Sequence, residues 1–396
     1  MYQITPLDNG LENVEGFYCG ATNVGMRQDS EDSDVAFIRS NTPCDISALF
    51  TSNTFQASPI VHFKKYPKGF QTDFILMNAK NANAMTGKQG VEDIEDILKS
   101  LARKQNVLNP VMASTGVIGY RLPINKITSA FHSFDFYGKD SNKTARAIMT
   151  TDSFKKEVAY EVKLPDGSAF HISAICKGAG MINPAMATML CFIVTDADIP
   201  KDDMDVLLKE ANEASFNRIS VDGDTSTNDT VMLLSNKQSQ AYDKEAFKEV
   251  LEKIMFELAM MILKDGEGAN KLVAFEVKGA KSLEDAQKAS MALSNSLLVK
   301  TALFGEDPNW GRIASTIGAS SIACEEEKLV IHYDDLLIYD NTHRELDKAR
   351  EAQAFEIMKQ SQFKVTCDIG LGEASYTSYG CDLSYDYVKI NAEYRT

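Results

Sequence analysis

The stretch KGAGMINPAMATMLCFIVTDADIP, from Lys177 to Pro200, is the most apolar run in the chain, with a lysine at its head and Thr188 in its middle. Gly178, Gly180, Pro184 and the polar residues among them break it too often for it to cross a bilayer as a helix. It has to be buried in a globular core instead. The chain has the material for one: of 396 residues, 44% are hydrophobic and 24% charged, proportions ordinary for a globular protein. That length exceeds what one small core holds, so two lobes are expected.

The surrounding elements alternate in type. Phe74-Ile75-Leu76-Met77 and Leu329-Val330-Ile331 read as buried strands. In GVEDIEDILKSLARKQN, residues Val91, Ile94, Ile97, Leu98 and Leu101 recur at helical spacing behind an acidic first turn. Tyr242 to Lys264 forms a longer helical pattern, with Phe247, Val250, Leu251, Ile254, Leu258 and Met261 on one stripe and a stop at Asp265-Gly266. A third helix is expected from Ser282, as cap, to Leu303. The class is mixed α/β, with helices covering sheets. The C-terminal YVKINAEYRT carries Tyr387, Val388 and Ile390 and reads as a strand entering the core.

VDGDTSTNDT (221–230) is the clearest loop, and its plain reading is a solvated turn. Asp222, Asp224 and Asp229 mimic part of a calcium loop, but the bidentate glutamate at its twelfth position is missing, which excludes an EF-hand. Five histidines, at 62, 132, 171, 332 and 343, lie far apart and form no HExxH, and no GxSxG elbow is present. KGAG (177–180) and GLGEAS (370–375) lack the spacing of phosphate-binding loops. Nucleotide-dependent chemistry therefore has no sequence support.

A net charge of -15 and a pI near 4.9 argue against nucleic acid and anionic membranes as partners. Small molecules remain. Seven scattered cysteines without a CxxC pair indicate neither a disulfide framework nor a zinc site, which fits a reducing cytoplasm. The N-terminus has no basic region followed by an apolar run, so no export signal is expected.

Thr188 has two readings. A threonine in an apolar run is ordinarily a buried strand residue. It becomes a nucleophile if its own α-amine serves as base, which requires a chain end at Thr188. An internal threonine reaches that state when its Oγ1 attacks the carbonyl before it, here that of Ala187, and the resulting ester is hydrolysed. Ser114-Thr115-Gly116, in VMASTGVIGY, is likewise either a turn between strands or an oxyanion hole made of the Thr115 hydroxyl and the Gly116 N–H.

ASTGVIG (113–119), KGAGMINPAMATML (177–190), SFNRISVDGDTSTND (215–229), DGEGA (265–269), VKTALFGEDPNWGRI (299–313) and CDLSYDYVKINAEYRT (381–396) together resemble the ornithine acetyltransferase family, the glutamate N-acetyltransferases of arginine biosynthesis. The resemblance implies an αββα sandwich, related in architecture but not topology to N-terminal-nucleophile hydrolases, over residues 1–280. It also implies a smaller C-terminal α/β lobe over 281–396 whose tail returns to the active site. Self-cleavage between Ala187 and Thr188 is implied, giving α (1–187) and β (188–396) segments that stay associated as an α2β2 heterotetramer.

By the same resemblance Thr188 is the nucleophile, Thr115 and Gly116 hold the oxyanion, and Thr151, Lys177, Thr188, Glu267, Asn391 and Thr396 bind substrate. The implied activity is ping-pong transfer of acetyl from N-acetyl-L-ornithine to L-glutamate, with acetyl-CoA left open as a second donor. The mechanism that the resemblance implies uses no metal or prosthetic group. The rival readings are a hydrolase of similar architecture, in which water replaces glutamate, and an uncleaved binding protein of the same fold. Two positions depart from the family pattern: Ala79-Lys80 stands where Ser-Gly is usual, and Cys191 where a small residue such as alanine is usual.

Overall fold

The computed structural model of the chain describes residues 1–28, 30–183 and 189–393. Among these residues nine strands form one sheet: β1 (Gln3–Pro6), β2 (Phe17–Thr22), β3 (Val35–Phe50), β4 (Gln71–Asn78), β5 (Val111–Ser114), β6 (Lys156–Lys163), β7 (Ala169–Lys177), β8 (Leu190–Thr195) and β10 (Thr230–Ser235). Six more form a second sheet: β9 (Ile219–Ser220), β11 (Leu272–Ala280), β12 (Val330–Tyr333), β13 (Leu336–Tyr339), β14 (Gln362–Asp368) and β15 (Ala374–Cys381).

The first sheet runs β1-β6-β7-β8-β10-β3-β4-β5, with β2 also on β3. β3 shapes it. Along one edge β3 pairs with β2 through residues 35–40 and with β10 through residues 45–50. On its other edge the pairing with β4 slips between Arg39 and Cys44, on either side of Pro43, where proline removes a ladder donor. The sheet folds over along this strand. Ile75, Met77, Val111 and Ala113 of β4 and β5 therefore share one core with Ile175, Leu190, Phe192 and Val194 of β7 and β8, although three or more strands separate β5 from β8 in the hydrogen-bonded order.

Helices cover both outer faces. Lys201–Ala214 and Lys244–Lys264 pack on Ile172, Ala174, Cys191, Ile193, Val231 and Leu233. Gly87–Ala102 packs Ile94, Ile97, Leu98 and Leu101 on Val35, Phe37, Phe74, Leu76 and Met112. The result is the expected αββα sandwich. Strands such as LCFIVT are buried on both faces, which is why they read as continuous apolar runs and not as alternations.

In the second sheet the order is β13-β12-β14-β11-β15-β9. Its core takes Ala289, Leu293, Ile313, Ile317, Ala354 and Met358 from covering helices. The expected division at residue 280 put β9 and β11 with the first lobe, yet both hydrogen-bond into the second sheet. No helix among the described residues is long and apolar enough to cross a membrane.

Two expected elements differ. The helix from Ser282 to Leu303 is two helices, Leu283–Asn295 and Leu297–Phe304. Ser282 caps the first by accepting from Asp285 N, but Ser296 leaves helical geometry and caps the second by accepting from Val299 N. A serine hydroxyl offers the backbone that alternative to continuing a helix. The expected C-terminal strand is a helix, Tyr385–Glu393, with none of its residues fully buried and Val388 62% exposed. Tyr387, Ile390 and Asn391 lie three and four residues apart, so they share a helical face; a four-residue window of apolar side chains cannot tell that period from a strand.

Candidate active site

At one end of the sandwich the last residues of β5 and β7 meet the first residues of β8 and β10. Lys177 closes β7 opposite Leu190 of β8, and Leu190 is in turn opposite Thr230 of β10. Side chains alternate along a strand, so Lys177 continues the inner face that carries Ile175, and Thr115 continues the inner face that carries Val111 and Ala113. Sequence spacing alone could not reveal this convergence, because β5 and β7 lie in different layers. Ala187 and Thr188 lie outside the described residues, as does Thr396.

The loop 221–230 brackets the segment that contains Thr188. Asp222 accepts from Met181 N at 2.6 Å and Ile182 N at 2.9 Å on the upstream side. Asp229 Oδ1 accepts from Met189 N at 3.1 Å on the downstream side. Asn228, next to Asp229, donates through Nδ2 to Ala82 O at 2.7 Å and Ser114 O at 2.8 Å. Two consecutive loop residues thus touch the residue after Thr188 and the residue before Thr115. The loop is no solvated turn here, since Ser226, Thr227, Asn228 and Asp229 are buried.

Thr115 is 3% exposed and its N–H donates to Asn78 O at 3.0 Å. Asn78 is held in place by Ser114 Oγ at 2.7 Å and by its own donation to Asn81 O at 2.9 Å. Gly116 has φ +130°, and a Cβ there would lie 2.2 Å from Lys80 C and 2.5 Å from Asn81 N. Only glycine fits. Lys80, at φ +69°, keeps the left-handed backbone that the expected glycine would adopt, at a cost of about 1–2 kcal/mol for a residue with a Cβ. Cys191 is buried across from Cys176, and burial pushes its thiol well above the usual range, so it adds packing without reactivity.

Lys177 is 3% exposed and donates from Nζ to Thr150 Oγ1 at 3.2 Å. Burial draws its pKa below the ordinary lysine value, and Asp152 offsets this only in part. Thr151, half-buried, sits between Thr150 and Asp152 in the chain. Asp152 Oδ1 accepts from Gly178 N at 2.7 Å and pairs with Lys156 Nζ at 2.7 Å. Lys156 Nζ also pairs with Asp265 at 2.5 Å, and Asp265 accepts from Ser153 N at 3.0 Å. Burial alone would raise Asp152, but the charges of Lys156 and Lys177 outweigh it and hold the carboxyl below its usual value.

This buried chain of charges fixes the Thr151 loop, the end of β7 and the end of the helix Lys244–Lys264 to one another. Glu267 follows two residues after Asp265. Its N–H donates to Ala179 O at 2.9 Å, and its Oε2 accepts from Asn391 Nδ2 at 2.7 Å. A Cβ on Gly180 would lie 2.4 Å from Glu267 Cδ, so the carboxylate rests against bare backbone. The C-terminal helix is docked by Ser384 Oγ donating to Gly268 O at 2.6 Å and by Tyr387 OH donating to Asp222 Oδ2 at 3.4 Å. Lys177, Thr151, Glu267 and Asn391 are thereby gathered around the stretch that leads into residues 184–188, while Asn228 ties Ser114, the residue before Thr115, to the loop whose Asp229 holds Met189.

A buried ammonium, a half-buried carboxylate with an amide beside it and a strained turn with close backbone approach suit a small zwitterionic ligand. Asp152 and Lys156 fall in no quoted motif, and Asn228, Asp229 and Asp265, though inside quoted segments, were given no role at the site. For Asp229 the signal available was its place directly before the apolar β10 sequence TVMLLS.

A model of the ArgJ family matches residues 18–396. The chain is similar to the arginine biosynthesis bifunctional protein ArgJ of Wolinella succinogenes, at 54% identity over 397 residues covering 100% of both chains. It is also similar to the glutamate N-acetyltransferase of Methanocaldococcus jannaschii, at 40% identity over 98% of this chain and 99% of that one. Among solved structures, that of the arginine biosynthesis bifunctional protein ArgJ from Bacillus halodurans is 33% identical and covers 50% of this chain and 96% of its own, with a TM-score of 0.47.

Proposed function

Because the chain belongs to the ArgJ family, we propose that it transfers acetyl from N-acetyl-L-ornithine to L-glutamate through an acetyl ester on Thr188. The chain first cuts itself between Ala187 and Thr188. The freed Thr188 α-amine, with a reference pKa of about 7.7–8.0, then serves as base for Oγ1 near neutral pH. Oγ1 attacks the acetyl carbonyl while the Thr115 hydroxyl and Gly116 N–H hold the oxyanion. Ornithine leaves, and the glutamate α-amine takes the acetyl group from the ester.

The observation that carries this reading is end-to-end similarity to a protein named for the transfer to glutamate. The site's chemistry supports it. A substrate carboxylate brought to Lys177 Nζ replaces the hydration that burial removed, and Glu267 with Asn391 offers acceptor and donor to the amino-acid end, alongside Thr151 and Thr396. No step requires a metal or prosthetic group. Acetyl-CoA is a second donor if acetylation of glutamate proceeds without N-acetylornithine, and the two cleaved segments assemble as α2β2.

Mass spectrometry of purified protein should find a fragment beginning Thr188-Met189-Leu190. Incubation with N-acetylornithine and glutamate should yield N-acetylglutamate. Release of acetate with no N-acetylglutamate would replace this reading with hydrolysis.

A further inference from the structure

Asn228 takes no part in the proposed chemistry, yet every polar atom it carries is engaged inside the core. It is 6% exposed. Its Nδ2 donates to Ala82 O at 2.7 Å and to Ser114 O at 2.8 Å, and its Oδ1 accepts from Thr227 Oγ1 at 2.7 Å. Its N–H donates to Ser226 Oγ at 3.1 Å and its carbonyl accepts from Thr230 Oγ1 at 2.9 Å. The amide is therefore oriented from its own loop, with its donor end turned toward the backbone that leads into the turn at Gly116.

Ser114 O and Thr115 N belong to one peptide group. That N–H donates to Asn78 O at 3.0 Å, so the group is held from both ends, by Asn78 at the nitrogen and by Asn228 at the oxygen. A planar peptide fixed at both polar atoms has little freedom to turn, and its tilt sets where Thr115 and the following Gly116 N–H lie. β5 closes the hydrogen-bonded order of its sheet, and the Asn228 amide takes the Ser114 carbonyl where a further strand would. The second Nδ2 bond braces the same turn from the other side, because Ala82 N donates to Val117 O at 2.9 Å.

We propose that Asn228 is the positioning residue of the oxyanion site: it holds the Ser114–Thr115 peptide at the tilt that aims the Thr115 hydroxyl and the Gly116 N–H at the forming alkoxide. The inference rests on the reading that Thr115 and Gly116 bind that oxyanion. Asn228 acts through them, so its contribution appears in the transition state and not in substrate binding.

Asn228→Leu keeps a branched side chain of similar reach but donates nothing. It should lower kcat by about ten- to a hundredfold, the loss that follows a small misplacement of a catalytic group, with KM for N-acetylornithine and glutamate unchanged. Counting kcat per 188–396 fragment on denaturing gels keeps slower maturation from registering as slower transfer. Combined with Thr115→Ala, the kcat losses should fall short of their product by about tenfold, because the two residues act as one unit. Wild-type kcat in Asn228→Leu would overturn the proposal, as would a change confined to KM or losses that simply multiply. If Asn228→Leu yields no cleaved chain, Thr227→Val decides. It removes the hydroxyl that orients the amide and should lower kcat about fivefold, the equivalent of one neutral hydrogen bond, with KM unchanged; wild-type kcat there overturns the proposal. Wild-type kcat in Thr115→Ala refutes the underlying oxyanion reading instead, a result distinct from an impaired Thr115→Ala beside an intact Asn228→Leu.

Discussion

Replacing Lys156 by methionine probes the charge chain beneath the site. The side chains of Lys156 and Asp152 are fully buried and that of Asp265 is 3% exposed. The change removes one ammonium from between two carboxylates whose oxygens lie 2.7 and 2.5 Å from its Nζ. Those oxygens are then no more than about 5 Å apart, where like charges repel by about 3 kcal/mol at an effective dielectric of about 20. Breaking a buried pair from one side costs about 3–5 kcal/mol in general. Gly178 N–H and Ser153 N–H remain on the two carboxylates, so the loss should stay within that range.

The sign with pH follows from linkage. In the wild type Asp152 is held below its ordinary value, so its contribution is present above an unfolded pKa of about 3.9 and is lost only as pH falls through the lower folded value. Without Lys156, the burial of Asp152 loses its largest offset, and that carboxylate takes up a proton more readily than in the wild-type fold. The deficit of Lys156→Met should therefore be largest near pH 7 and shrink toward pH 5, about where a raised carboxyl begins to protonate. Urea unfolding followed by far-UV circular dichroism would measure it, on a Thr188→Ala background so that one covalent chain unfolds. A deficit below about 1 kcal/mol, or one equal at both pH values, would refute the reasoning.

Thr115→Ala should lower kcat by about 10²–10³ with little change in KM, the loss typical of one preorganised oxyanion donor; a change confined to KM would make Thr115 a binding residue. Gly180→Ala keeps an ordinary backbone but forces the Glu267 carboxylate off its seat and away from Asn391. It should raise KM for N-acetylornithine by about tenfold, the equivalent of one lost hydrogen bond to a charged group, while self-cleavage proceeds. Unchanged steady-state kinetics in that variant would remove Glu267 from the substrate site.

Much of the helical layer was legible because helices expose their period. Val91, Ile94, Ile97, Leu98 and Leu101 are all buried on one side of Gly87–Ala102, and Asp265-Gly266 does end the long helix. The break at Ser296 was not legible, because apolar residues continue at helical spacing through it. The sandwich came from resemblance; strands apolar on both faces carry no sign of which layer they join. In the site, Lys177, Glu267 and Asn391 stood out through the family pattern. Asp152, Lys156 and Asp265 did not, since charged residues are read as surface until burial is known. Asp229 was hidden in a run of turn-forming residues whose composition says loop and whose position says core.

The order of strands in the first sheet has a consequence for any break at residue 187. β8 and β10 belong to the downstream piece, yet they are flanked by β7 and β3 of the upstream piece, through Lys177–Leu190 on one side and Phe50–Thr230 on the other. The two pieces are therefore interleaved like fingers, each supplying neighbours to the other's strands. Pulling them apart would expose four strand edges in the middle of a core. A break at residue 187 in the folded chain would therefore change the number of chain ends without releasing a subunit.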